Sequence, residues 1–570
     1  MINIGYGVAD YKMMVKYGMY YVDRTQFLHV LETSNAPYTI FLRPRRFGKS
    51  LWISVLQYYY GIQFKSEFEA LFGNRHVGKK PTALANSYFI LRMNFSGIST
   101  DSEKELKEDF VKVVRSSIEN FLTDYATYFD KEVRETIVSE NTAHSLMKIF
   151  FQEIKHLPYK VYLLIDEYDH FANELISFKK EVFIKAVTKN GWVRKFYETL
   201  KNAANEGIVE KMFITGVSPI TLDSLTSGFN IGSHQSQDFA LHNLMGFTEE
   251  EVMDILKGID APTEQLSYLM LILKEWYNGY LFNPDVTNRL YNSDMVLYFA
   301  KEYVSSKKIP RRLLDVNIAS DYGKIRSIFR VGEMEESRWH YVEELLQNGV
   351  VSNKMTEMFS FERGFTSRDF LSLLCYMGYL TIQAAAPLGK LSLSIPNRVI
   401  SELYRDYFIR ILDERSGMNT DVNLLEDALV TLLIENEPRP LLEMLCEVLR
   451  QLTLRDYQNM DEKHIQAMFF SYLSLASDYD VNSEYQKKFF DILLTRNALA
   501  NATLTNEFLF EFKYAKKATD YRLGKIDQAA IEQVTGYLNH KKITRHPNLH
   551  AWRIVIVGDT LEICEEVPRG

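Results

Sequence analysis

Tyr38–Leu51 reads YTIFLRPRRFGKSL, an apolar run ending in Gly-Lys-Ser where a strand would turn into a helix. That order of residues describes a phosphate-binding loop. Exposed backbone N–H groups at a helix start, with the Lys49 ammonium, make a site for β- and γ-phosphates, and the Ser50 hydroxyl can ligate Mg²⁺. Arg45, Arg46, Phe47, Gly48 and Leu51 complete the stretch that would wrap the nucleotide. The general motif has a glycine five residues before Gly48, and this chain has Arg43 there.

A nucleoside triphosphatase also needs carboxylates. Val161–Asp169, VYLLIDEYD, supplies them: an apolar run followed by two acids reads as a buried parallel strand. Its C-terminal edge would present Asp166 to the metal and Glu167 to the attacking water. Another apolar strand, KMFITGVSP (Lys211–Pro219), ends in hydroxyls, so Thr215 or Ser218 can sense the γ-phosphate or that water. A further strand is expected at Tyr88–Phe95. All these groups fall at strand ends, where open α/β sheets bind ligands.

Near the other end, FFDILL (Phe489–Leu494) and FLFEFKY (Phe508–Tyr514) read as two strands of a hairpin joined by an Asn-rich loop. Residues i and i+2 of a strand share a face, so the Glu511 carboxylate and the Lys513 ammonium point at one spot. Asp491 on the neighbouring strand adds a second hard oxygen ligand, as Mg²⁺ prefers. The metal would generate hydroxide and neutralise charge on a scissile phosphate, with Lys513 holding the water or the developing anion. A following helix carries Gln533 and Tyr537 one turn apart, and Gln533 is within reach of a phosphate or a metal water. A lone Glu-x-Lys is cheap on a solvated strand, but here the acids interrupt otherwise apolar runs.

With both sites in view, the chain resembles a family of bacterial proteins that join an AAA-like ATPase domain to a C-terminal PD-(D/E)XK nuclease domain. The likeness rests on YYVDRTQFL (Tyr20–Leu28), RPRRFGKSL (Arg43–Leu51), LLIDEYD (Leu163–Asp169), FITGVSPI (Phe213–Ile220), LTSGFNI (Leu225–Ile231), GFTEEEV (Gly246–Val252), WYNGYLF (Trp276–Phe282), LLDVN (Leu313–Asn317) and IPNRVI (Ile395–Ile400). RPRRFGKS, with Arg43 in the glycine position, looks like that family's own loop. The resemblance implies ATP as ligand with Lys49 and Ser50 binding it, Mg²⁺ on Asp166, and water activation by Glu167. It also implies a nuclease metal on Asp491 and Glu511, with Lys513 beside them. The chain departs from the family at QKKFFD (Gln486–Asp491), where a Gly-Arg-x-Asp turn is usual, and at Leu281, where an arginine is usual.

Length and composition fit that organisation. At 570 residues and 46% hydrophobic the chain can bury several cores. We expect an α/β fold with a P-loop NTPase parallel sheet at 1–225 and a helical lid at 226–335. A winged-helix-like region at 336–415 and a restriction-endonuclease-like domain with its preceding helices at 416–570 would follow. GFTEEEV opens the lid with Thr248 as N-cap and Glu251 closing a capping box. TSRDFLSLLCYMGYL, TIQAAAPLGKLSLSIP and NRVISELY read as helix, hairpin and helix, and Glu414–Asn423 as a linker. A net charge of −8 repels nucleic acid in bulk, so DNA contact would fall to local clusters: Lys487 and Lys488, Lys516 and Lys517, and Lys541, Lys542 and Arg545. Cys375, Cys446 and Cys564 are too scattered for a zinc site or a disulfide framework. No stretch approaches the ~18 apolar residues of a membrane span, and the expected location is cytoplasmic. A homo-oligomeric ring would need an arginine reaching a neighbour's γ-phosphate, whereas Arg45 and Arg46 lie in the loop and would act in cis. A rival class is a nucleotide-dependent switch or scaffold whose nuclease fold binds a partner or nucleic acid without cutting.

Overall fold

A computed structural model of the chain describes residues 1–172, 180–187, 191–220, 229–315, 349–359, 365–404, 422–451, 461–473, 478–483, 491–497, 503–516, 525–538 and 545–569, with a few isolated positions between them. The expectations for Leu225–Gly228, Val316, Asn317, the linker at 414–421, Lys487–Phe490, Lys517, Lys541 and Lys542 lie outside the described residues. The chain forms two compact units, Met1–Glu335 with Ser352–Asn397, and Glu336–Val351 with Arg398–Gly570.

The first unit is built on a parallel sheet of β1 (Tyr38–Leu42), β2 (Phe89–Asn94), β3 (Val161–Asp166), β4 (Val209–Gly216) and β5 (Ser233–His234). Their order is β2-β3-β4-β1-β5, and every pairing is parallel. β4 therefore lies between the strand that feeds the phosphate loop and the strand that ends in Asp166. Every residue of β3 is buried, as a central strand covered on both faces requires. The covering helices are amphipathic. Trp192–Asn205 packs on β4 and buries Val193, Phe196, Tyr197, Leu200 and Ala204, a stripe at helical spacing. Each large side chain in such a stripe contributes roughly 1.5–3 kcal/mol of transfer free energy.

Three further helices, Glu249–Gly258, Leu266–Tyr277 and Ser293–Ser306, pack on one another. The first begins with the capping box read from the sequence, Thr248 accepting from Glu251 N–H while Glu251 accepts from Thr248 N–H at 2.8 Å. β6 (Val350–Asn353), of which Ser352 and Asn353 belong to this unit, forms a three-stranded sheet with β7 (Thr381–Ala386) and β8 (Lys390–Ser394). The preceding helix, Ser367–Tyr376, starts at a second capping box, Thr366 with Asp369. This hairpin region packs closely on WYNGYLF. A Cβ on Gly279 would lie 1.9 Å from Pro396 O, and at φ +109° the position is open only to glycine.

The second unit holds a mixed sheet in the order β13-β12-β11-β10-β9, made of β9 (Tyr479–Ser483), β10 (Ile492–Arg496), β11 (Glu507–Ala515), β12 (Leu549–Val557) and β13 (Thr560–Glu566). β10 and β11 pair antiparallel, as the hairpin reading required, whereas β11 and β12 are parallel and are separated in sequence by the helix Lys525–Leu538. Alternation along β11 sorts its side chains. Phe510 and Phe512 meet Phe469 of the helix Glu462–Leu473, and Leu509 joins a cluster with Val534 of the helix Lys525–Leu538.

Candidate functional site

Arg43 ends the first strand as a buried residue, 1% exposed. Its guanidinium lies over the rings of Phe41 and Phe282 at 4.2 and 4.0 Å. It donates to the carbonyls of Leu42, Ser236, Leu241 and His242. A glycine could do none of this, so the motif departure is a structural tie from the loop to the segment after β5. The absence of a carboxylate among these partners fits its lowered pKa, about 9, which burial produces.

From that anchor the loop turns through Arg46 (φ +68°) and Gly48 (φ +89°) into the helix Lys49–Tyr60. A Cβ on Gly48 would meet open space, so the backbone there faces a cavity rather than packing. Lys49 donates to the carbonyls of Arg43 and Pro44 at 3.1 and 2.9 Å. Burial lowers its pKa, opposed by Asp166, Glu167 and Asp169 in that order. The start of the helix Ser293–Ser306 steadies the outside of the loop: Asn292 Nδ2 and Ser293 Oγ donate to the carbonyls of Arg45 and Arg46, and the Arg46 guanidinium pairs with Asp294 at 3.3 Å. The Phe47 ring packs on rings of WYNGYLF, with its centroid 4.9 Å from that of Tyr280 and 5.5 Å from that of Phe282.

A cavity of about 490 Å³ opens above the loop. Arg45 through Trp52 form its floor, Glu167, Asp169 and His170 one wall, and Val8, Val22, Phe247 and Leu297 an apolar end. Arg24, from the YYVDRTQFL segment, closes that end by donating to Gly246 O at 2.6 Å and pairing with both oxygens of Glu251. Asp166 is fully buried and is not itself among the cavity-lining residues, lying directly before Glu167, which is. Asp166 Oδ1 accepts from Glu167 N at 3.0 Å, and its Oδ2 has no hydrogen-bond partner among the described residues. Such an orphaned carboxylate oxygen fits a cation's needs.

The two sensor candidates are placed differently from expectation. Thr215 Oγ1 donates to Phe41 O at 2.7 Å and Ser218 Oγ to Asp169 Oδ2 at 3.0 Å, so both hydroxyls act within the sheet edge and neither is on the cavity wall. For Thr215 the reason is the Phe41 carbonyl of the neighbouring strand, and for Ser218 it is Asp169, to which the sequence reading assigned no role. Its carboxylate also accepts from Val217 N and Ser218 N, fastening the end of β4 to the turn after β3.

At the second site Asp491 and Glu511 are 6% and 1% exposed. Asp491 Oδ2 accepts from Phe512 N at 2.7 Å, and Lys513 Nζ is 2.8 Å from Glu511 Oε1. Burial and the neighbouring Glu511 push Asp491 up to about 8, and burial raises Glu511 despite Lys513. Burial alone would lower the Lys513 ammonium, yet Glu511, Glu462 and Asp491 together raise it. Glu462 was missed from sequence. It opens the helix Glu462–Leu473, lies 3.5 Å from Lys513 Nζ, and accepts from Tyr514 N, so a third acid arrives from far along the chain. Glu511 Oε2 has no hydrogen-bond partner among the described residues, and two buried acids beside an ammonium suit a hard divalent cation. Gln533 is exposed, and Tyr537 packs on the Leu493–Leu509–Val534 cluster.

These two sites define a P-loop ATPase fold joined to a nuclease-type mixed sheet. Comparison with known proteins gives a family to part of each unit: residues 5–226 match the AAA-ATPase-like family, described as predicted AAA-ATPase, and residues 460–566 match the PD-(D/E)XK nuclease superfamily. The chain therefore carries an AAA-ATPase-like domain near its N-terminus and a PD-(D/E)XK superfamily domain near its C-terminus. An uncharacterized protein in the vnfD 5′ region of Azotobacter chroococcum mcd 1 is 26% identical over 289 residues, covering 50% of this chain; the chain spans 48% of that relative's length. Two solved structures align loosely: Cdc6p from Pyrobaculum aerophilum (TM-score 0.26, 11% identity, 67% of this chain and 93% of that one) and Aeropyrum pernix ORC1 in complex with DNA (TM-score 0.28, 8% identity, 69% and 95%). Likeness at that level carries no argument.

Proposed function

We propose that the chain binds and hydrolyses ATP in the first unit and that this cycle licenses a Mg²⁺-dependent nuclease in the second, acting on nucleic acid, most simply DNA. The observation that carries the reading is the convergence of Lys49, Ser50 and Glu167 on one cavity whose floor is exposed loop backbone. Lys49 would leave the Arg43 and Pro44 carbonyls for the β- and γ-phosphates, and Ser50 with Asp166 would hold the magnesium. Glu167 would orient and deprotonate the attacking water. Val8, Val22, Phe247 and Leu297 would take the base, and closure of the three lid helices over it would be the response to nucleotide. In the nuclease unit Asp491 and Glu511 would hold the metal, and Lys513 would position the hydroxide or the leaving anion. Mg²⁺, when bound, supplies charge neutralisation at phosphate and a water of lowered pKa. We place the protein in the cytoplasm as part of this reading; among the described residues no helix is long and apolar enough to cross a membrane. We also assign the finer boundaries at 225, 335 and 415, and a homo-oligomeric assembly, to this reading.

A second reading, in which the nuclease fold binds nucleic acid or a partner without cutting, is favoured by one observation: both acids already have partners within the fold, Glu511 in Lys513 at 2.8 Å and Asp491 in Phe512 N at 2.7 Å. One set of assays separates the two. ATP hydrolysis should vanish in Lys49→Ala and fall by about 10²–10⁴-fold, to a slow single-turnover rate that can still be measured, in Glu167→Gln, and Mg²⁺-dependent cleavage should fall by about 10³-fold in Asp491→Ala and Glu511→Ala. Cleavage indifferent to ATP, to its non-hydrolysable analogue and to Lys49→Ala would sink the coupling.

A further inference from the structure

The turn after β3 leaves one cavity-wall contact that the ATPase reading does not use. His170 Nδ1 lies 3.4 Å from Glu167 Oε2, with the imidazole 23% and the carboxylate 38% exposed, and both residues line the nucleotide cavity. The backbone brings them together deliberately. Glu167 has φ +50°, in the left-handed region that a non-glycine residue adopts only when its surroundings impose it, and His170 N donates back to Glu167 O at 3.1 Å. The two residues between are tied down on the other side: Tyr168 hydroxyl donates to Ser218 O at 2.6 Å, and Asp169 is held by Val217 N, Ser218 N and Ser218 Oγ. With 168 and 169 fastened to the end of β4, residues i and i+3 of the turn project together into the cavity.

We infer that His170 is a positioning residue for the hydrolysis proposed above: its Nδ1 side holds the Glu167 carboxylate in the rotamer from which that carboxylate orients the attacking water. The inference rests on the ATPase reading and acts only through Glu167. An unheld glutamate that is two-fifths exposed would sample several rotamers, and most would leave the water unaligned. The imidazole's ion pair is with Glu167 and not with a loop residue, so its removal should act on the rate and not on nucleotide affinity.

The test is a mutant cycle on the full chain, with single-turnover ATP hydrolysis and N-methylanthraniloyl-ATP affinity measured side by side. His170→Ala should slow hydrolysis about 10-fold while leaving affinity for the fluorescent nucleotide within about 2-fold. His170→Asn, whose side-chain amide N–H reaches the place of Nδ1, should restore most of the rate, and His170→Gln should not. In the Glu167→Gln background, His170→Ala should cost nothing further. Three outcomes overturn the inference: an unchanged rate in His170→Ala, a further loss on top of Glu167→Gln, or affinity and melting temperature falling together in both the Ala and Asn variants. Failure of the underlying reading looks different. There the wild type and Glu167→Gln would turn over equally, with or without His170, and both proposals would fall.

Discussion

At the end of the parallel sheet burial loosens the protons of two cations, Arg43 and Lys49, and Lys49 lies in the field of the buried carboxylates Asp166 and Asp169; at the mixed sheet burial tightens the protons of two acids, Asp491 and Glu511, beside Lys513. Each arrangement is costly alone, and on the proposed function an anion above the loop and a divalent cation between the acids would offset that cost. The anchoring differs as well. The cations are held by carbonyls, and Asp491 is held by a backbone N–H. The same rule, buried charge fixed by main chain, thus holds in both units, and on the proposed function it would make an anion receptor of one and a cation receptor of the other.

The comparison breaks most visibly if either charge is removed. Glu511→Ala should lower Mg²⁺-dependent cleavage by about 10³-fold, the scale of losing one preorganised electrostatic contact, without altering ATP affinity. Lys49→Ala should do the reverse, abolishing nucleotide binding in a fluorescence titration while a metal-binding titration of the second unit is unchanged. If either variant disables both sites, the two receptors are not separable.

Arg43→Gly comes next. It would restore the glycine of the general phosphate loop, and a motif-based expectation is gain or neutrality. The geometry says otherwise. Four carbonyls lose their donor and two aromatic faces lose their cation, so unfolding of the first unit by denaturant should shift by upwards of about 3 kcal/mol. A variant as stable as wild type would show that Arg43 is dispensable to the loop.

Acid and base should then act oppositely on the two units. His242, beside Arg43, is pushed down to about 4 by burial and by that guanidinium. The unfolded chain takes up this proton near pH ~6.5, so the contribution is full above that pH and is lost as pH falls toward 4, roughly 3 kcal/mol in all. Asp491 is raised, so its contribution in metal-free protein is present below pH ~4 and is lost as pH rises through about 8. Melting curves in EDTA should show the first unit weakening in acid and the second in base. Mg²⁺ should rescue the second, and His242→Gln and Asp491→Asn should each flatten one limb. Two limbs of the same sign would contradict the charge assignments.

What the sequence made legible follows the same division. Local order was readable: the strand-to-helix turn at Gly48, the acids closing β3, the hairpin that puts Asp491 beside Glu511, and the Thr248 capping box all involve neighbours in sequence or one strand pairing. Long-range satisfaction was not. The motif placed Arg43 in a loop, whereas its partners are carbonyls at Ser236, Leu241 and His242. Asp169 drew no role beside Asp166 and Glu167, although its work is to hold Val217 and Ser218, and that bond is also what withdraws Ser218 from the cavity. Glu462 carries no local mark at all, because it meets Lys513 only once the helix Glu462–Leu473 is laid on the sheet.

The smallest effect serves as the control for the larger ones. Thr248→Ala removes a neutral cap from the helix Glu249–Gly258, and such a loss costs about 1 kcal/mol. The Glu251 carboxylate keeps its pairing with Arg24, so the wall at the apolar end of the cavity should stand and nucleotide affinity should hold. No titrating group is added or removed, and the pH limbs of both units should keep their wild-type midpoints. If Thr248→Ala moved a limb as far as His242→Gln does, the acid sensitivity of the first unit would reflect its overall margin of stability rather than a buried charge.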